Sequence, residues 1–220
     1  KTPPKATNES PSIREILGLD ALKLLNDSRY LIFFISSILI CIPLAFYYQD
    51  ANLFLNELGM KNAAGVMTLG QISEALFILL LPIFLNKYGI KKTLIVGMFA
   101  WSLRYVLFAF GDTGSNIWML IFGIVLHGIC YDFFFVSGQI YTDFKAGEKY
   151  KSAAQGLIAL ATYGLGMLIG FRLAGRVTDQ FALDPGHDWT QIWIIPAIFA
   201  AVVLVIFILT FKNEKIEIEK

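Results

Sequence analysis

Six apolar blocks constrain this chain more than any other feature. They lie at about 30–55, 62–85, 93–110, 116–142, 152–176 and 189–211. A helix needs about 20 apolar residues to cross a hydrocarbon core of ~30 Å. In that core each backbone N–H and C=O must find its partner inside the protein, so spans are helices or closed barrels. Blocks of this length suit helices. Composition agrees: 56% of the 220 residues are hydrophobic and 16% are charged, against about 25% charged in a soluble domain. The expected fold is therefore an all-α membrane protein, a six-transmembrane-helix bundle. A net charge of +1 gives no reason to expect a nucleic-acid partner.

The segments between the blocks carry the charge. Residues 1–29 read as a polar linker. Ser12-Ile-Arg-Glu15 has the form of a capping box, and the Leu22, Leu24 and Leu25 region suits an amphipathic helix at the membrane surface. Residues 212–220 form a charged tail. The polar opening without an initiator Met reads as a fragment that begins inside a longer protein. Cys41 and Cys130 fall inside apolar blocks, with no spacing that suggests a disulfide or metal site. No cofactor is expected.

Orientation follows from the basic residues. Segments 1–30, 86–92, 143–151 and 212–220 hold 14 of the 18 Lys and Arg, whereas the alternating loops hold Lys61 alone. Arg104, Arg172 and Arg176 lie within or at the ends of blocks. Cytoplasmic loops collect Lys and Arg, so both termini are expected on the cytoplasmic side of the membrane, with the spans arranged as three hairpins.

Within the blocks, polar residues are few and patterned. Gln49 and Asn52 are three apart, as are Gln71 and Glu74, which puts each pair on one helix face. His127 and Tyr131 are four apart and share a face, with Asp132 turned about 100° away. A carboxylate at bilayer depth costs about 2.5–3.5 kcal/mol on insertion scales, so such residues usually face a water-filled cavity or a partner. If the three faces converge, they line a cavity of amides, carboxylates and aromatic rings. That set suits a neutral, hydroxylated solute with a planar ring. Arg104 is within the third block and would pair with Asp132 or Glu74. The buried carboxylates Asp132 and Glu74 would also suit proton coupling. Gly166-Met-Leu-Ile-Gly170 permits close helix approach.

Four pieces in order carry a resemblance: Gln49-x-x-Asn52, Gln71-x-x-Glu74, Tyr131-Asp-Phe-Phe134 with Ser137-Gly138, and Ser152-Ala-Ala-Gln-Gly156. Together they resemble the bacterial nucleoside:proton symporter family of the major facilitator superfamily. The basic segment Asn86–Lys92 resembles that superfamily's loop between the second and third helices of a half. The resemblance implies the C-terminal half of a twelve-helix fold, with an N-terminal six-helix half as partner. It implies that Gln49, Asn52, Gln71, Glu74 and Tyr131 contact the nucleoside and that Asp132 takes part in proton coupling. Glu74 is assigned both roles, and His127 is included in the substrate set. The chain departs from the family pattern at His127, where a tyrosine is expected, and at Tyr131, where a phenylalanine is.

Two other readings stay open on the sequence. A sugar:proton symporter of the same superfamily would use the same membrane carboxylates. A non-transporting receptor or assembly module would use none of them. An enzyme is not expected, because no nucleophile–base pair stands at suitable spacing.

Overall fold

The computed structural model describes residues 19–214. The capping-box segment at Ser12–Glu15 and most of the charged tail lie outside them. A 3₁₀ helix, Leu19–Asn26, leads into α1, Ser28–Glu57. The chain continues as α2, Ala63–Phe110, and α3, Ile117–Tyr131. A π-helical turn, Asp132–Val136, joins α3 to α4, Ser137–Ala159. A second one, Leu160–Gly166, joins α4 to α5, Met167–Gln180. The last helix, α6, spans Trp189–Thr210. Among the described residues, four continuous helical stretches are long and apolar enough to cross a membrane.

Two of those stretches are interrupted by glycine. Gly89 within α2 has φ 76° and ψ 172°, and Gly147 within α4 has φ 61° and ψ 174°. A side chain would strain either backbone. The segments 86–92 and 143–151, expected as loops, are therefore helical except at one residue each. Their polar side chains project from helix ends rather than from extended chain. In the same way α5 runs on to Gln180 before the 181–188 connection begins.

Helix starts follow local chemistry. Asp27 caps α1 by accepting from the N–H of Arg29 at 2.8 Å, and Asp188 caps α6 by accepting from the N–H of Gln191 at 3.2 Å. Such a cap satisfies donors that the first turn leaves free. Asp112, in the turn before α3, accepts from the N–H groups of Asn116 and Gly114. These bonds hold its carboxyl below the usual range.

Small residues set the helix spacing. A Cβ at Gly166 would meet that of Cys41 at 2.7 Å, and one at Gly170 would meet that of Ala45 at 2.6 Å. The expected small-residue stripe therefore seats α5 on α1. Gly97 lies against the π-helical turn, where a Cβ would fall 2.8 Å from the Phe134 nitrogen. The core between α1, the second half of α2, and α6 is aromatic. Tyr105 stacks on Trp193 at 5.6 Å, and Trp193 meets Phe54 edge-on at 5.3 Å. The first half of α2 is different: Leu76, Leu79, Leu80 and Ile83 all face outward.

An ionic cluster ties the ends of the bundle together. Lys145 Nζ lies 2.7 Å from both Asp27 Oδ2 and a Glu214 oxygen. Tyr141 donates to Glu214 Oε2 at 3.0 Å, and Arg29 lies 3.4 Å from Glu214. The 3₁₀ helix packs beside it through Ala21, which meets Ala146 and Ala154.

Candidate functional site

Two of the three predicted polar faces meet directly. The first half of α2 runs against α3, because Gly128 has no side chain and its N–H donates to Ser73 Oγ at 3.0 Å. One residue beyond Ser73, Glu74 reaches α3 with Oε2 3.8 Å from His127 Nε2. The Glu74 side chain keeps 34% of its surface open, whereas that of His127 keeps 4%. His127 and Tyr131 follow each other along α3 with ring centroids 5.9 Å apart. Tyr131 shares a 2.6 Å hydrogen bond with Tyr163, in the second π-helical turn.

The third face, on α1, splits. Asn52 reaches α2 by donating to Met67 Sδ at 3.7 Å, one turn from Gln71 on the same helix. Gln49 turns the other way, donating to Asp50 Oδ1 at 3.3 Å, with its Nε2 beside Gly175 of α5. Asp50 is buried and also accepts from Thr178 Oγ1 at 3.2 Å. Gln49, Asn52 and Gln71 are all exposed.

Asp132 stands apart. It is fully buried at the start of the first π-helical turn, and neither carboxylate oxygen has a hydrogen-bond partner among the described residues. A π turn inserts one extra residue into the helix and is frequent at functional sites. An orphan carboxylate in that position calls for an explanation beyond packing.

The expected pairing of Arg104 with Asp132 or Glu74 is not what the structure holds. Arg104 is fully buried and its Nη1 lies 2.9 Å from His127 Nδ1. Its Cζ sits 3.4 Å from the centroid of the Tyr47 ring, with Trp101 and Phe108 at 5.6 Å and 5.4 Å. Aromatic faces attract a desolvated guanidinium, and here they take the place of a carboxylate. The Tyr47 ring also stacks on His127 at 5.3 Å. Sequence reasoning missed Tyr47 and Tyr163. Neither carries a spacing signal, since each acts through a neighbour on another helix.

The arrangement is a polar patch where α2 meets α3, with Glu74 partly open, Tyr131 next along α3 from His127, and exposed amides on Gln71 and Asn52. It offers acceptors, amide donors and a ring face to a neutral solute. Over residues 1–216 the sequence matches the family model for the nucleoside H+ symporter. The chain belongs to the nucleoside H+ symporter family. It is 44% identical over 99% of its length to YegT of Escherichia coli K12, a candidate nucleoside transporter, and covers 53% of that protein. It is 32% identical to the nucleoside permease NupG of the same organism, covering 51% of it, and 30% identical to its xanthosine permease, covering 53%. Among solved structures, it superimposes on a NupG aspartate-to-alanine variant with a TM-score of 0.85 at 32% identity. That match covers 93% of this chain and 54% of NupG. The chain thus spans about half the length of the relatives it matches, and it shares their all-helical, membrane-spanning architecture.

Proposed function

We propose that this chain is the C-terminal half of a transporter that takes up nucleosides with protons across the bacterial inner membrane by alternating access. The observation that carries the reading is the meeting of polar groups where α2 packs on α3. Glu74, His127 and Tyr131 follow one another where α2 meets α3, while a second carboxylate, Asp132, lies buried one residue beyond Tyr131 with no hydrogen-bond partner among the described residues. The first would hold a neutral solute, and the second would take the proton.

The reading includes six spans. At ~1.5 Å per residue, the 48 residues of α2 would extend about 70 Å, more than twice a hydrocarbon core. Reversal at Gly89 divides α2 into two spans, and reversal at Gly147 does the same for the stretch from α3 to α5. With the Lys and Arg distribution, both termini then lie on the cytoplasmic side, as does the Asp27–Lys145–Glu214 cluster.

The missing half is needed on physical grounds. The first half of α2 is the least buried of the spanning segments, yet it carries Gln71 and Glu74 beside Leu76 and Leu79. Lipid does not satisfy an amide or a carboxylate. An N-terminal six-helix half would cover this face and enclose the solute at the bilayer midplane, and the two halves would rock about it. Asn52, Gln71, Glu74, His127 and Tyr131 form this half's share of the binding site, and Gln49 joins them when its side chain turns away from Asp50.

Uptake by the full-length protein in proteoliposomes tests the reading. A panel of nucleosides and disaccharides is offered with and without an inward proton gradient. Uphill nucleoside uptake that needs the gradient is expected. Disaccharide uptake in its place would move the protein to a sugar symporter, and no flux of either would make it a non-transporting module.

A further inference from the structure

Among the described residues, Arg104 is a buried cation without a carboxylate partner. Its Nε and Nη2 have no hydrogen-bond partner among the described residues, and Nη1 makes the 2.9 Å contact to His127 Nδ1. A guanidinium only donates, so the direction of that bond is fixed: Nδ1 of His127 accepts. An imidazole that accepts at Nδ1 is neutral and carries its proton on Nε2. Nε2 is the atom that faces Glu74 Oε2 at 3.8 Å. That separation exceeds a hydrogen bond and closes with a small turn of the Glu74 side chain, which is partly open.

We propose that Arg104 is a positioning residue for the solute site. It locks His127 in the Nε2–H form, aims that N–H at Glu74 Oε2, and so leaves Glu74 Oε1 to accept from an N–H or O–H donor on the solute. Tyr47 completes the device. Its ring holds the guanidinium on one side and stacks on the imidazole, so neither partner turns freely. The solute class this selects is a neutral molecule with a donor aimed at Glu74, such as a ribose hydroxyl or the ring N–H of a nucleobase. The inference rests on the nucleoside reading for the solute, but the tautomer lock does not depend on it.

The test uses the full-length transporter in proteoliposomes, with nitrogen-15 in its histidines. The His127 signals are identified by their loss in His127→Phe. The expected spectrum has a protonated Nε2 and a bare Nδ1. In Arg104→Met the ring is expected to move to a tautomer mixture. The apparent KM for the transported nucleoside should rise about tenfold, the scale of one weakened hydrogen bond, with Vmax little changed. Arg104→Lys, which still donates, should recover part of both effects. A wild-type ring protonated at Nδ1 overturns the proposal, and so does an Arg104→Met protein with unchanged tautomer and KM. If Arg104→Met does not assemble, the wild-type spectrum still decides. Failure of the nucleoside reading looks different: the wild type would show the Nε2–H tautomer and move no nucleoside.

Discussion

Gly128 and Ser73 touch backbone to backbone. The Gly128 N–H donates to Ser73 Oγ at 3.0 Å, and a Cβ on Gly128 would stand 2.6 Å from the Ser73 carbonyl carbon and 2.7 Å from the Glu74 nitrogen. The distance between these two residues sets where Glu74 meets α3. Gly128→Ala would push α2 away, since the atoms it meets are main chain and do not rotate aside. A loss of about 1–3 kcal/mol is expected, read as a lower Tm in detergent. Nucleoside KM should rise with it, because Glu74 moves too. Ser73→Ala removes the hydroxyl that accepts from Gly128 and donates to the Gly70 carbonyl, leaves the backbone contact in place, and should cost about 1 kcal/mol.

Asp132 is expected to separate coupling from binding. It is buried, with no partner for either oxygen among the described residues, so Asp132→Asn keeps the shape and removes the titrating group. Proton-driven accumulation in the full-length protein should vanish, while counterflow of labelled nucleoside down its gradient persists. Accumulation that stays uphill and proton-dependent in the variant would remove Asp132 from the coupling step.

Glu74 is expected to dominate this half's grip on the solute. A hydrogen bond to a charged group contributes about 1.5–3 kcal/mol, so Glu74→Ala should weaken nucleoside binding roughly 10- to 100-fold. Asn52→Ala and Gln71→Ala, each losing one neutral bond, should weaken it by less. Equilibrium binding of a labelled nucleoside to the reconstituted protein gives the comparison directly. Equal losses at all three positions would argue against a special place for Glu74.

The Lys145 cluster should respond to acid. Burial pushes the Asp27 carboxyl up, but the Lys145 ammonium and the N–H groups of Arg29 and Tyr30 outweigh it and hold it below its ordinary value of 3.8. A carboxyl depressed in the fold contributes stability above its unfolded value and loses it as pH falls through the folded one. Thermal melts from about pH 6 down to about pH 3 should therefore show the wild type losing Tm faster than Asp27→Asn at the acid end. At neutral pH, Lys145→Met should cost about 1–2 kcal/mol, less than a fully buried ion pair because Asp27 is partly open to water. A variant melting like the wild type would mean the cluster contributes little.

Much of this could be read from the residues in order. The apolar blocks, the paired amides and carboxylates, and the small residues at Gly166 and Gly170 each follow from one helix's periodicity, which is local. The glycine breaks were harder to see. Gly89 and Gly147 sit in polar segments that read as loops, yet the backbone needs only one positive φ to interrupt a helix.

The site itself was half legible. Glu74, His127 and Tyr131 carried their own signal, as charged or aromatic groups at regular spacing in apolar surroundings. Gln49 did not join them, because its rotamer turns toward Asp50 and α5, and spacing on one helix does not fix that. The partner of Arg104 was legible only in space. Charge alone pointed to a carboxylate, whereas packing delivered the Tyr47 face and the His127 ring.

The sequence by itself determined that this chain spans a membrane as helices, which of their faces are polar, and which family it belongs to. The spans and their polar faces follow from composition and period, because a helix in lipid must satisfy its own backbone, and the family follows from the motifs in order. Only the tertiary structure decided which polar groups meet. It put Glu74 against His127 through the bare backbone of Gly128, turned Arg104 onto an aromatic face, and left Asp132 buried without a partner among the described residues. Such contacts depend on the approach of separate helices to within a few ångströms, and no spacing along one helix encodes that distance.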